Sequence, residues 1–344
     1  MYIYMKQFLL FTQFFIISLN AFSQIEYTIN DFSDTYYAVF IVGDDQKEEV
    51  FKEGTMLLFS RKTGKTLIET ECESIAFEDV ALSSSKKIIV PYEGQSMILY
   101  EDYNFDGKND LAVQQYYSSK GPSYSIYLSK NNTFEYDSAY TKIIRNSQGN
   151  FDLDTLDKKI YTRGNGGCCW HSFSTYSIQN TRPVLISEVI EESDFAFTTT
   201  TTKELKDGKM IETVEKTFNS EEEGIIGVMS FNLMDKNKKV ILFNINDRTL
   251  NYALLSEDDR VEFSYPVETV YANPDFTLSN DGNNLLFKNN DAAYKVYQII
   301  TNNMITGIGV LVIVNGKTYD LKGDIKSLSG NLKKITKLDN VVFK

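Results

Sequence analysis

From Gln24 onward, the chain falls into short runs rich in β-branched and aromatic side chains, separated by Gly, Asn, Asp and Lys. Successive side chains of a strand point to opposite faces, so such runs predict half-buried strands. The clearest are residues 55–61, 87–92, 97–100, 111–117 and 123–128. After them come 226–231, 240–244, 250–255, 261–265, 285–287, 293–300 and 308–314. No window carries an apolar stripe at helical spacing between caps, so no helix is expected. Many short strands at regular intervals predict an all-β protein. The expected architecture is a propeller-like or meander first module and a second, smaller module of sandwich or barrel type.

Turn chemistry divides the chain further. Asp207-Gly208 stands between the runs 195–202 and 210–218, and a DG pair in that setting predicts a two-residue hairpin. Polar residues prevail on both arms, so residues 195–219 are expected to form a projecting ribbon. The charged stretch Glu221-Glu222-Glu223-Gly224 follows it, which sets the expected modules at 24–194 and 220–344. Asn315-Gly316 is a second hairpin candidate.

Residues 1–23 differ in kind. Lys6 precedes an apolar stretch containing Phe8, Leu9, Leu10, Phe14, Phe15, Ile16 and Ile17, and Ala21 and Ser23 occupy the −3 and −1 positions of a signal-peptidase site. A secretory signal is the expectation, with a periplasmic or secreted mature chain. The stretch is shorter than the ~20 residues a bilayer span needs, and no other stretch approaches that length, so no membrane span is expected in the mature chain.

Composition narrows the partners. The chain has 344 residues and a formal net charge of −12. Removing residues 1–23, whose single charge is Lys6, leaves 344 − 23 = 321 residues and −12 − 1 = −13. That length suits two modules at ~100–200 residues per domain. The acidic balance disfavours nucleic acid and anionic membranes and favours cations or a basic protein.

One stretch carries sharp chemistry. Asp102, Asn104, Asp106 and Asp110 occupy positions 1, 3, 5 and 9 of a loop with Gly107 at 6, and Lys108 at 7 can offer its main-chain carbonyl. Calcium takes 6–8 oxygen ligands, and this spacing turns alternate side chains toward one centre. Position 12 is Val113 where an EF-hand has a bidentate Glu, and the flanks alternate like strands. A weak Ca²⁺ site is therefore expected, with a dissociation constant of about 10⁻⁴–10⁻³ M. The same residue types also build metal-free Asx turns.

The run Tyr100-Glu-Asp-Tyr-Asn-Phe-Asp-Gly-Lys-Asn-Asp-Leu-Ala-Val113, with Tyr124–Leu128, Phe134, Phe151-Asp152 and Lys159-Ile160 after it, resembles a family of bacterial periplasmic proteins with a single DxNxDG loop. That loop is similar to those of FG-GAP β-propeller blades. The resemblance covers roughly residues 90–190. It implies calcium ligation by Asp102, Asn104, Asp106 and Asp110 and a propeller-like first module. Some members of that family are immunity proteins that inhibit lysozyme-like glycohydrolases, which makes such a hydrolase the most concrete expected partner. No inhibitory motif is recognisable, and 195–344 lie outside the match.

The three cysteines are Cys72, Cys168 and Cys169. In an oxidising compartment one disulfide is expected. Cys72 with Cys168 or Cys169 would close a loop of almost a hundred residues, worth ~2–5 kcal/mol; a vicinal Cys168–Cys169 bridge is the alternative. Trp170 and His171 follow on a Gly-rich turn as candidate binding-surface residues. His171 is the single histidine and no Gly-x-Ser-x-Gly elbow accompanies it, so a histidine triad is not expected. The expected function is non-enzymatic: an exported calcium-binding protein that recognises another protein. A cell-surface glycan-binding or adhesion protein is the alternative, for which Tyr36, Tyr37, Tyr116 and Tyr117 are candidate contacts.

Overall fold

The computed structural model describes residues 24–76, 86–92, 97–234, 236–266 and 274–344; the expected secretory signal, residues 1–23, lies outside them. The chain forms two compact units. The first runs up to Asn165 and resumes over Ser172–Ser187. The second comprises Gly166–His171 and Glu188–Lys344. Both are built almost wholly of antiparallel strands, as the alternation predicts.

In the first unit, β1 (Gln24–Ile29), β2 (Tyr36–Gly43), β3 (Phe51–Ser60), β4 (Thr66–Ala76) and β5 (Lys87–Ile89) form a sheet in the order β4-β3-β2-β1-β5. Only β1 and β5 run parallel in it. The period-2 pattern sends Ile25, Tyr27 and Ile29 of β1 and Ala38, Phe40 and Val42 of β2 into one core. A second meander, β6 (Ile98–Glu101), β7 (Asp110–Ser118), β8 (Gly121–Lys130) and β9 (Thr133–Tyr136), keeps chain order across its sheet, the order of a propeller blade.

The helix α1 (Ser138–Asn146) corrects the expectation of none. Asp137 caps it by accepting from the amides of Ala139 and Tyr140. Tyr140, Ile143 and Ile144 give it one buried face, packed with Tyr124 and Ile126 of β8. Arg182 reaches the other oxygen of the capping carboxylate at 2.6 Å.

A six-stranded sheet follows with its strands in chain order: β10 (Asp152–Asp154), β11 (Lys159–Asn165), β12 (Trp170–Gln179), β13 (Arg182–Asp194), β14 (Phe197–Lys206) and β15 (Lys209–Phe218). The hairpin expected at Asp207-Gly208 is present, with Lys206 paired to Lys209 and positive φ at both turn residues. The compact units divide at Ser187/Glu188, inside β13, and the hairpin belongs to the second unit. The cause is at its base: Phe197 and Phe218 pack on Phe243 in a shared cluster. The charged stretch at 221–224 is only a turn within that unit. The outer part of β15, Lys209–Glu215, is exposed on both faces, as expected of a ribbon.

The rest of the second unit is two further sheets. One holds β16 (Ile225–Asn232), β17 (Lys238–Ile245), β18 (Thr249–Ser256) and β19 (Val261–Tyr265). The other holds β20 (Phe276–Leu278), β21 (Asn284–Asn289), β22 (Ala292–Thr301), β23 (Met304–Val314) and β24 (Lys317–Lys322). Two late strands close them: β25 (Ser329–Gly330) pairs with β16, and β26 (Val341–Phe343) runs parallel to β20. Phe231, Leu242 and Tyr252 of the first sheet share a core with Phe276, Phe287 and Val310 of the second. Neither sheet closes into a barrel, and the first is covered on both faces, because Ile241, Phe243, Ala253 and Leu255 on its other side cluster with Phe197 of β14.

Candidate functional site

The loop from Asp102 to Asn109 joins β6 to β7, whose register pairs Glu101 with Asp110 and Ile98 with Val113. Its two ends are therefore adjacent before any ion is considered. Inside it the side-chain oxygens collect main-chain amides. Asp102 accepts from Asp106 N through Oδ1 (3.1 Å) and from Gly107 N through Oδ2 (2.8 Å). Asn104 Oδ1 accepts from the same Asp106 N at 2.9 Å, and Asp106 Oδ1 accepts from Lys108 N at 2.9 Å. These nested Asx turns curl the chain, and Asp102 Oδ1 and Asn104 Oδ1 share the Asp106 amide. Gly107 sits at φ +87°, a left-handed conformation that glycine adopts without steric cost.

Asp110 departs from its companions. It is fully buried, and its two oxygens accept from Tyr103 N (3.0 Å) and Ser129 N (2.7 Å). It thus ties the loop to β8. Burial pushes its carboxyl up to about 7, against the two amide bonds, and the charges of Asp106 and Asp102 push in the same direction. Asn104 is buried, Asp102 half-buried, and Asp106 and Lys108 are exposed. The Tyr103 ring is fully buried edge-on against Phe151, and among the described residues its hydroxyl has no hydrogen-bond partner.

The donor set consists of hard oxygens and suits calcium. Each carboxylate or amide oxygen that accepts one N–H retains a lone pair for a cation. The carboxylates do not by themselves make a metal cluster: among the described residues no group of three or more His, Cys, Asp or Glu side chains is placed to hold an ion. A cation here would rely on Asn104, the main chain and water as well as the acids. The Asp110 bonds leave it best suited to an indirect role at position 9, which calcium loops often fill through water.

The other expected residues fall elsewhere. The preferred long-range disulfide is corrected: Cys168 and Cys169 bond to each other, and Cys72 is free. Cys72 faces inward from β4, 2% exposed in the first unit's core, where burial pushes its thiol up to about 12. Cys168 and Cys169 are exposed, while Trp170 and His171 are half-buried at the start of β12. Tyr36 packs edge-on against Tyr100 and Phe134, and Tyr37 stacks on Phe59. Tyr116 and Tyr117 are exposed, and Tyr117 meets the exposed Phe51 with ring centroids 6.1 Å apart. Phe51 went unnoticed in the sequence because the contact depends on how two distant strands pack. Among the described residues no helix is long and apolar enough to cross a membrane.

No protein-family model and no curated protein matches the sequence. Among solved structures, a Xanthomonas type IV secretion system related protein aligns at 21% identity over 57% of this chain and 95% of that one, with a TM-score of 0.40. The β-propeller domain of the Trilobed protease from Pyrococcus furiosus aligns at 8% identity over 86% and 97%, TM-score 0.25. TolB from Acinetobacter baumannii aligns at 9% over 86% and 65%, TM-score 0.20. This chain is similar to each only at that level.

Proposed function

We propose that this chain is an exported calcium-binding β protein that acts by recognising a basic protein, a lysozyme-type glycohydrolase being the most concrete candidate. The observation that carries the reading is the loop at 102–110, where the side-chain oxygens of positions 1, 3 and 5 are gathered round the amides of a strand-to-strand turn. Asp102, Asn104 and Asp106 would hold the ion, Lys108 would add its carbonyl, and Asp110 would anchor the loop. A bound divalent charge offsets the repulsion among adjacent carboxylates and so stabilises the turn. The reading is structural and non-catalytic.

The mature charge of −13 suits a cationic partner, and complementary charge acts chiefly on encounter rate and specificity. Retention of a cationic lysozyme that weakens with salt, together with loss of its hydrolytic activity, is the expected result. Salt-insensitive retention on a glycan array without lysozyme binding would favour the second reading, a glycan-binding surface centred on Phe51 and Tyr117. Turnover abolished by one carboxylate substitution outside the loop would overturn the non-catalytic assignment.

A further inference from the structure

We propose that the Cys168–Cys169 pair is a thiophilic cation site: a reducible bond whose dithiol form chelates a soft cation such as trivalent arsenic. The inference does not rest on the calcium or partner readings. Both cysteines are exposed in the turn between β11 and β12, so reductant and ligand can reach them.

The turn is held without help from sulfur. Gly166 N donates to Trp170 O at 2.9 Å, and Ser193 N donates to Cys169 O at 2.8 Å. The Trp170 side chain lies against Gly166 so closely that a Cβ there would meet its atoms at 3.2–3.3 Å. Gly167, at φ +99°, takes the chain round the corner, and a Cβ built there would meet nothing within 4 Å. Breaking the S–S bond therefore frees two thiols that stay adjacent and exposed on a fixed turn, the arrangement a two-sulfur chelate requires. Soft sulfur ligands select soft cations. The remaining cysteine does not compete, since Cys72 is buried in the first unit's core and its thiol is held protonated.

The chemistry balances. A dithiol reductant gives two electrons and two protons to the pair, leaving as a cyclic disulfide while Cys168 and Cys169 become thiols. A monosubstituted arsenoxide then forms two As–S bonds. Its As–O bond breaks, and the oxygen leaves with the two thiol protons as water.

The test uses the full chain under native conditions and phenylarsine oxide as the probe, read by intact mass. The oxidised chain should take up none. After reduction and removal of reductant it should hold one arsenical per chain, resistant to excess monothiol and displaced by a dithiol. Cys72→Ala should behave as wild type, and Cys168→Ser should lose the monothiol-resistant adduct. Four results would overturn the proposal: no uptake after native reduction, a monothiol-resistant adduct that survives in Cys168→Ser, uptake lost in a folded Cys72→Ala chain, or reduction that abolishes the β-sheet circular dichroism signal.

Discussion

Replacing Asp110 by Ala tests whether this residue is the anchor of the loop. It removes a buried carboxylate that accepts from Tyr103 N at 3.0 Å and Ser129 N at 2.7 Å. The Tyr103 amide is left in a buried setting, which costs about 1–3 kcal/mol, and the partly buried Ser129 amide adds about 1 kcal/mol. Relief of the buried charge offsets part of this, because burial disfavours the ionised form. A net loss of about 2–3 kcal/mol is expected without calcium. Asp110→Asn, which keeps one acceptor oxygen, should lose about half as much. Urea unfolding in chelator, followed by far-UV circular dichroism, reads the loss as a lower midpoint. Native-state hydrogen exchange should show faster exchange at the Tyr103 and Ser129 amides specifically. An unchanged midpoint with both amides still protected would refute the anchoring role.

Three further outcomes follow from buried polar groups. Tyr103→Phe deletes a hydroxyl that has no partner among the described residues and should stabilise the chain by about 1 kcal/mol; a lower urea midpoint would contradict this. Asn340 is 2% exposed and both accepts from Leu250 N (2.8 Å) and donates to Leu250 O (3.0 Å), so Asn340→Ala should lose about 2–4 kcal/mol, and a loss below that would mean those groups find other partners. Burial raises the Asp275 carboxyl, against its bond from Asn340. The folded state then binds protons more tightly, so this group's contribution to stability is full below the ordinary carboxylate range and is lost as pH rises through the raised value. Relative to wild type, Asp275→Asn should accordingly melt higher at pH 7 than at pH 4; a pH-independent difference would count against it.

Much of the fold was legible because a strand needs only local alternation. The run 261–265 coincides with β19, and most other runs lie within a residue or two of their strands. The tight turns were legible for the same local reason, since Asp207-Gly208 and Asn315-Gly316 supply the positive φ that such hairpins demand. What escaped depends on contacts between distant residues. Helix α1 is only nine residues long, so its buried face offers too few apolar positions to stand out, and its stability comes from packing on β8. The packing of the hairpin's base was not legible, because Phe197 and Phe218 at the foot of a polar ribbon bury against Phe243, which no local pattern reveals. Cysteine pairing is a question of distance, and Cys72 faces the core of the first unit. At the loop, the spacing identified the oxygens but not their division of labour. Only the fold shows Asp110 turned inward to Ser129 while Asp106 remains in solvent.

The calcium reading stands or falls on calorimetric titration of the ion into chelated wild type and Asp106→Ala. Wild type should give a saturable binding heat and melt higher with calcium, by about 2.7 kcal/mol of stability when the ion is at a hundred times its dissociation constant. Asp106→Ala should show neither. Identical titrations of the two chains, with melting curves that ignore calcium, would contradict it.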